Sequence, residues 1–429
     1  MRSFLWEIEM VASTNIKFYV HTNNNAPQLQ NAYGSMINVL DACLIDGIQI
    51  GAVNSLTAVG STVTATFGAA HNLMQYQVIK ITGANQPEFN GEHRILTIPD
   101  SSSLTFELAA APSVSTATGT ISASLPPLGW EKPFSSSNPN GGGKAAYRSL
   151  NLLLPSRPFL RVVDELDPAY TATYAKYAKV GIVEDMTDID TMLGVQTPFD
   201  AVNPDKNWVA TGSGTTVING WARWYYARNT TANAANAGDS TPPSAGSRPF
   251  ILIGTKDVFY ILCGMTTSDN SKLVYGFGAF ESLIPADISN TFLSSTLMNI
   301  AANVSMSRAS NTPLANSIAS LALQRNHLQQ MIPVFSAKAI SIKLGTNSVD
   351  YSGEGDWIDT PSNANQIPCA DVFVTDGSLR GKLPLMKWLF QKRPYTNYNF
   401  IDYGEQSYIA LDVASGSSAS IGQILIRVI

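Results

Sequence analysis

A chain of 429 residues with 45% hydrophobic and 9% aromatic content is long enough for two or three packed domains, which excludes a peptide or a small disulfide scaffold. Its formal charge of -5 and the lack of any Lys/Arg-rich run speak against a nucleic-acid partner, and with only 14% charged residues the surface must be covered largely by uncharged polar side chains, which suits packing in an assembly. No apolar stretch approaches the roughly 20 residues of a membrane span, and Glu7 and Glu9 break any signal-peptide core, which predicts cytoplasmic synthesis.

Phe18 to His21 reads as a short strand, and Asn23-Asn24-Asn25 with Pro27 as the turn that launches a helix. Between Gln28 and Leu44, apolar residues at Leu29, Ala32, Tyr33, Met36, Val39, Leu40, Cys43 and Leu44 keep a three-and-four spacing, which predicts an amphipathic helix. From Val53 to about Ser124 the pattern becomes alternating: Val63, Ala65 and Phe67, then Val78, Ile79 and Ile81, then Ile95 to Ile98, then Leu104, Phe106 and Leu108. Gly60-Ser61, Gly83-Ala84, Asn90-Gly91 and Asp100-Ser101 mark its turns, predicting a small barrel or sandwich of about five to seven strands.

Pro126-Pro127 through Gly141-Gly142-Gly143 lead into a remainder that reads as strands at Phe159 to Val163, Tyr177 to Val183, Trp221 to Tyr226, Phe250 to Ile253, Val258 to Leu262 and Leu273 to Phe277. Pro313 to Met331 is the exception, where Leu314, Ile318, Leu321 and Leu328 predict a helix face that Asn311, Asn316 and Asn326 weaken. The long loop from Asn229 to Gly246, rich in Asn, Ala, Ser and Thr, is costly to order in a monomer and predicts contacts with neighbouring chains. The expected class is therefore mainly β, a β-rich α+β fold. A host β-sandwich-like domain with one N-terminal amphipathic helix (1–51 and 126–429) carries an inserted all-β module (52–125).

Chemistry-bearing patterns are sparse. The histidines His21, His71, His93 and His327 fall in no catalytic or metal motif, and no nucleophile elbow, phosphate loop or dinucleotide fingerprint occurs, so no catalytic residue and no cofactor is expected. Cys43, Cys263 and Cys369 are far apart in apolar surroundings, as buried reduced thiols are. Glu184, Asp185, Asp188 and Asp190 offer carboxylate oxygens to a hard cation such as Ca²⁺, but their spacing departs from the EF-hand loop and a solvated turn is the plainer reading. The aromatics Trp221, Trp224, Tyr225 and Tyr226, with Trp388 and Tyr395, are candidates for an interface or for stacking on sugars, against the alternative of core packing. Strand alternation sets Trp221, Arg223 and Tyr225 on one side and Trp224 and Tyr226 on the other, so one aromatic side needs a second covering layer.

The segment Ala70-His71-Asn72-Leu73, followed by Val78 to Gly83, Phe89-Asn90-Gly91 and Leu104-Thr105-Phe106, resembles a small β module that recurs in virion proteins of tailed bacteriophages. The host part resembles phage structural proteins at Lys17 to His21, Ala26 to Leu44, Gly129-Trp130-Glu131-Lys132, Ala146-Tyr147-Arg148, Leu160-Arg161-Val162, Glu184 to Asp190, Arg248-Pro249-Phe250 and Leu379 to Pro384. Leu385 stands where that resemblance calls for glycine, and the region from Asn229 to Gly246 has no counterpart. The resemblance implies a non-enzymatic tail component: a homo-oligomer forming a sheath, appendage or collar around the tail tube, with tube, adaptor or fibre proteins as partners. The alternative that it implies is a baseplate, fibre-attachment or receptor-binding part that contacts host glycans. A glycan depolymerase, the enzymatic alternative, is disfavoured by the lack of internal repeats.

Overall fold

β-Branched and aromatic runs bounded by turn residues become strands almost throughout, in a computed structural model that describes residues 11–213, 217, 220–229, 239–267, 272–298, 308–310, 314, 321–333, 337–340, 343–344, 347–348, 369–389, 393–415 and 420–429. The protein is mainly β, with one short α-helix among the described residues. The expected strands are found as Phe159–Glu165, Lys176–Met186, Ala222–Ala227, Phe250–Gly254, Val258–Gly264 and Lys272–Ala279. No helix among the described residues is long and apolar enough to cross a membrane.

Two sheets make the larger part. In an 8-stranded sheet, Trp130–Ser137, Gly142–Ser149, Phe159–Glu165, Lys176–Met186 and Ala222–Ala227 lie side by side and antiparallel. A 13-stranded sheet starts at Lys17–Val20, passes through Phe250–Gly254, Val258–Gly264 and Lys272–Ala279, and continues into Gln406–Ser415, Ser420–Arg427, Leu379–Leu389 and Cys369–Thr375. Its two halves meet at a seam, formed by the single parallel pair Lys272↔Val413, a two-residue ladder of Glu281–Ser282 on Gly381 and Lys382, and the isolated Leu321–Ala337 bridge.

Strand alternation shows how the layers stack. Phe250 and Leu252 share an apolar cluster with Trp224 and Tyr226 of the 8-stranded sheet, whereas Ile251 and Ile253 share another with Trp388, Ile409 and Ile426 of the C-terminal strands. Burial on both faces is why these strands read as continuous apolar runs, although antiparallel strands more often alternate.

Residues 48–125 form a 7-stranded antiparallel sheet in the order Gly91–Arg94, Val78–Ala84, Gly119–Leu125, Ile48–Val59, Thr62–Phe67, Ser103–Glu107 and Thr97–Asp100. Val63, Ile79, Leu104 and Phe106 are fully buried in it. Asn90 clamps the strand end by accepting from the Ala84 N–H and donating back to its carbonyl, and Gly91 supplies the positive φ of 122° that the turn needs. His71 accepts the Leu73 N–H at 3.0 Å through Nδ1 and so closes its loop. The buried Gln77 ties this unit to the N-terminal strand, donating to the Phe18 carbonyl at 2.9 Å and pairing with Asn23.

The helix expected over 28–44 is shorter. It spans Ser35–Asp41 and opens into a wider turn at Ala42–Asp46. Leu29 lies in an extended segment that bridges to Arg248, and Gly34, at φ 87°, starts the helix where an added Cβ would stand 2.9 Å from the Gly142 Cα. The apolar period thus reported burial, since Leu29, Met36, Val39, Leu40, Cys43 and Leu44 are all buried, and overstated the helix. The helix expected over 313–331 is also corrected in its described part: Leu321–Leu323 is a strand, and Asn326 turns the chain by accepting from the N–H groups of Leu328 and Gln330. Residues 311–313 and 315–320 lie outside the described residues, as do 230–238 of the long Asn229–Gly246 loop. Leu385 has φ 67°, a conformation that glycine takes freely, so the departure noted in the sequence places a strained leucine at that position.

Candidate functional site

The aromatic strand Ala222–Ala227 is central in the 8-stranded sheet, between Lys176–Met186 and Thr296–Met298. The expected alternation holds, and the chain itself covers both sides. On one side Tyr225 donates to Asp239 at 2.7 Å, and Asp239 pairs with Arg223 at 3.4 Å and Arg228 at 2.9 Å. The Arg223 guanidinium lies 4.1 Å above the Tyr177 ring, whose own ring centroid is 5.0 Å from that of Tyr225. On the other side Trp224 donates to the Ser294 carbonyl at 2.8 Å and stacks on Tyr275, while Tyr226 donates to Asp164 at 2.5 Å.

The expectation that a partner supplies the second layer is therefore corrected. Trp221, Trp224, Tyr225, Tyr226, Trp388 and Tyr395 are all buried. Trp388 belongs to the cluster behind the 13-stranded sheet, and Tyr395 is held by Gln423, which accepts from its N–H and donates to its carbonyl. Sequence reasoning identified the aromatics and their sides but not what covers them, which is Tyr177 and Asp239 on one side and Tyr275 and Asp164 on the other.

The acidic run does not converge. Glu184 pairs with Arg325 at 2.7 Å and accepts from the Val195 N–H, and Asp190 takes Lys144 at 2.8 Å and Arg161 at 2.6 Å. Asp188 caps its own turn by accepting from the N–H groups of Asp190 and Thr191, and Asp185 accepts from the N–H of Met186. Partial burial raises the Glu184 pKa, but the bonds from Arg325 and Val195 outweigh it and hold the carboxyl below its ordinary value. Each carboxylate faces its own partner, and no group of three or more His, Cys, Asp or Glu among the described residues is placed to hold a metal ion. His93 serves structure: its Nε2 donates to the Phe89 carbonyl at 3.0 Å and its ring stacks on Phe106 at 4.3 Å, while burial lowers its pKa.

Two buried polar nodes were not visible in the sequence. The first is Asp164, fully buried, whose Oδ2 accepts from the Met36 and Ile37 N–H groups at the start of the helix while Oδ1 accepts from Tyr226. Burial raises its pKa to about 6, against the lowering effect of those bonds. Because the folded value lies above the unfolded one, protonation favours the folded state. That contribution is complete below about pH 4 and is lost as pH rises through about 6, on the order of 2–3 kcal/mol. Asp164→Asn should flatten the stability profile between those values. Thermal melts of both proteins from pH 4 to pH 7 check this, and an unchanged slope in the variant would show that another group titrates.

The second node is Arg380, also fully buried. It makes paired bonds to Asp287, both at 2.9 Å, and further bonds to Asp376, the Arg325 carbonyl and the Ser289 carbonyl, each at 3.0 Å. Every guanidinium direction is used, and the node joins the loops around 287, 325 and 376. Chemically, the first node is closed, since both Asp164 oxygens accept from donors of the same chain; in the second, Asp376 Oδ1 lacks a hydrogen bond but lies 3.3 Å from His327 Nδ1, and the arrangement as a whole fits cohesion.

No protein-family model matches the chain, and no curated protein matches it. Among solved structures, Phage phi92 endosialidase is similar at 10% identity and a TM-score of 0.16, over 88% of this chain and 50% of that chain. The chain thus spans half the length of that structure, and a TM-score this low carries no argument about fold or activity.

Proposed function

We propose that this chain is a structural protein of a bacteriophage tail, present in several copies as a non-contractile sheath, appendage or collar around the tail tube, and that it catalyses no reaction. The observation that carries the reading is the part played by the residues that resemble phage virion proteins. Tyr147 donates to Asp41 at 2.7 Å, tying strand Gly142–Ser149 to the helix, while Arg248 and Arg380 are fully buried holders of loops. Arg161 fixes the 186–192 turn through Asp190. In the module the same holds for His71, Asn90, Leu104 and Phe106, which close turns or fill the core. The resembling positions are those that shape a rigid body, as an assembly part requires, and the module is an inserted unit on that body.

Immunogold labelling of intact virions with an antibody to this chain tests the reading. Label along the tail shaft supports a sheath, appendage or collar, and label at the distal tip moves the chain to the baseplate or fibre junction. Particles without label, under conditions where a coat protein labels, overturn the virion assignment. Release of reducing sugar from host polysaccharide by the purified chain would overturn the non-enzymatic part.

A further inference from the structure

One end of the strands gathers loops that expose large apolar side chains. Val258–Gly264 begins there and Lys272–Ala279 ends there, since Val258 pairs with Gly278. Thr291 pairs with Ala279, Leu323 with Phe292 and Lys382 with Glu281, which brings the loops 280–290, 324–331 and 376–379 to the same end. The loop 150–158 joins them through Asn151, which donates to Asp257 at 2.9 Å, and through the hydroxyl pair of Ser156 and Thr291. On these loops Leu152, Leu153, Leu283, Ile288, Leu328 and Leu379 are 78%, 92%, 58%, 57%, 63% and 53% exposed.

We infer that this pole is an interface between two copies of the chain, meeting pole to pole. The inference deepens the multi-copy reading above and rests on it. Summed over the six side chains, such exposure offers on the order of 700 Å² of apolar surface, close to the ~800 Å² that one partner gives a stable interface. A second copy is the occupant that the charges favour. Arg380 is shared by two carboxylates, Asp287 and Asp376, but all three side chains are 2% exposed or less, and Arg325 is paired with Glu184, so the apolar side chains of two copies meet with little bare charge between them.

The loops are also held in place before any partner arrives. Asn151 accepts from the Leu153 N–H, Ser149 accepts from the Asn151 N–H, and Arg157 donates to the Ser149 carbonyl. Leu283 donates its N–H to the Arg380 carbonyl, and His327 donates its N–H to Asp376. Little conformational freedom remains to be lost on association.

The test is sedimentation velocity on the full chain and on two variants, Leu152→Lys with Leu153→Lys, and Ile288→Lys with Leu379→Lys. These are exposed positions on opposite parts of the pole, so the thermal midpoint should stay unchanged in both. The wild type is expected to sediment as a dimer or larger species at micromolar concentration, and each variant to raise the dissociation constant roughly a hundredfold or more. A wild-type oligomer that both folded variants retain overturns the pole as the interface and leaves the multi-copy reading standing. A wild-type chain that stays monomeric overturns self-association itself, and the pole then belongs to a different tail protein.

Discussion

Arg380→Met should destabilise the chain by about 3–5 kcal/mol, because it leaves the buried Asp287 and Asp376 without the cation that they share. The loss reaches beyond one ion pair. Arg380 also donates to the carbonyls of Arg325 and Ser289, so three loops lose their common anchor. Burial pushes the Asp287 pKa up, but the bonds from Arg380, Ser282 and the Ser289 N–H outweigh it and hold the carboxyl at about 2. With the folded value below the unfolded one, this stabilisation is present above about pH 4 and is lost as pH falls towards 2. In the variant Asp287 loses the partner that depresses its pKa, so the fall in stability between about pH 4 and pH 2 should be shallower than in the wild type. Arg380→Lys keeps the charge with three donors in place of five and should fall between the two. Chemical denaturation at pH 7, pH 4 and pH 2.5 checks the set, and a cost below about 1 kcal/mol for the methionine variant at pH 7 would mean that the node is not a keystone.

Asp239→Ala should cost a similar 3–5 kcal/mol, for the converse reason. Arg223 and Arg228 are each 2% exposed and converge on this one carboxylate, which also accepts from Tyr225. Removing it brings two guanidinium groups together in the interior with their shared counter-charge gone. The aromatic faces around them soften the effect only in part, since cation–π contacts are worth about 0.5–2 kcal/mol. Arg223→Met combined with Asp239→Leu should recover much of the loss, because apolar replacement of a buried pair is often neutral. Melting temperatures of the single and double variants decide it. A double variant no better than Asp239→Ala would show that Arg228 alone accounts for the penalty.

Local rules served well where burial and period agreed. Val258 to Leu262 and Phe250 to Ile253 are apolar without interruption, and they became strands covered on both faces. They failed where a tertiary contact redirected the chain. Leu29 kept helical spacing with Met36, yet its backbone bridges to Arg248, more than two hundred positions away. The helix start is set by Gly34 and by the N–H groups that Asp164 accepts, neither of which a hydrophobic period reports. The candidate site shows the same division. The aromatic strand and its two sides were legible from alternation, but Arg223, Arg380, Asp164 and Asp239 read as ordinary charges in the sequence. Their partners sit far along the chain: Asp287 is 93 positions from Arg380, and Glu184 is 141 from Arg325. Buried charge becomes visible only when the fold brings such partners together.

The seam in the 13-stranded sheet has a mechanical consequence. On one side of it, strands 258–264 and 272–279 are joined by seven registered pairs, and on the other, strands 406–415 and 420–427 by eight. Across the seam the described residues supply one parallel pair, a two-residue ladder and the isolated Leu321–Ala337 bridge, beside the buried Arg380–Asp287 pair. Under tension perpendicular to the strands, those few bonds bear the load that longer ladders share elsewhere, so the sheet behaves as two stiff plates on a compliant line. Stretching should part the chain there first, with both plates intact.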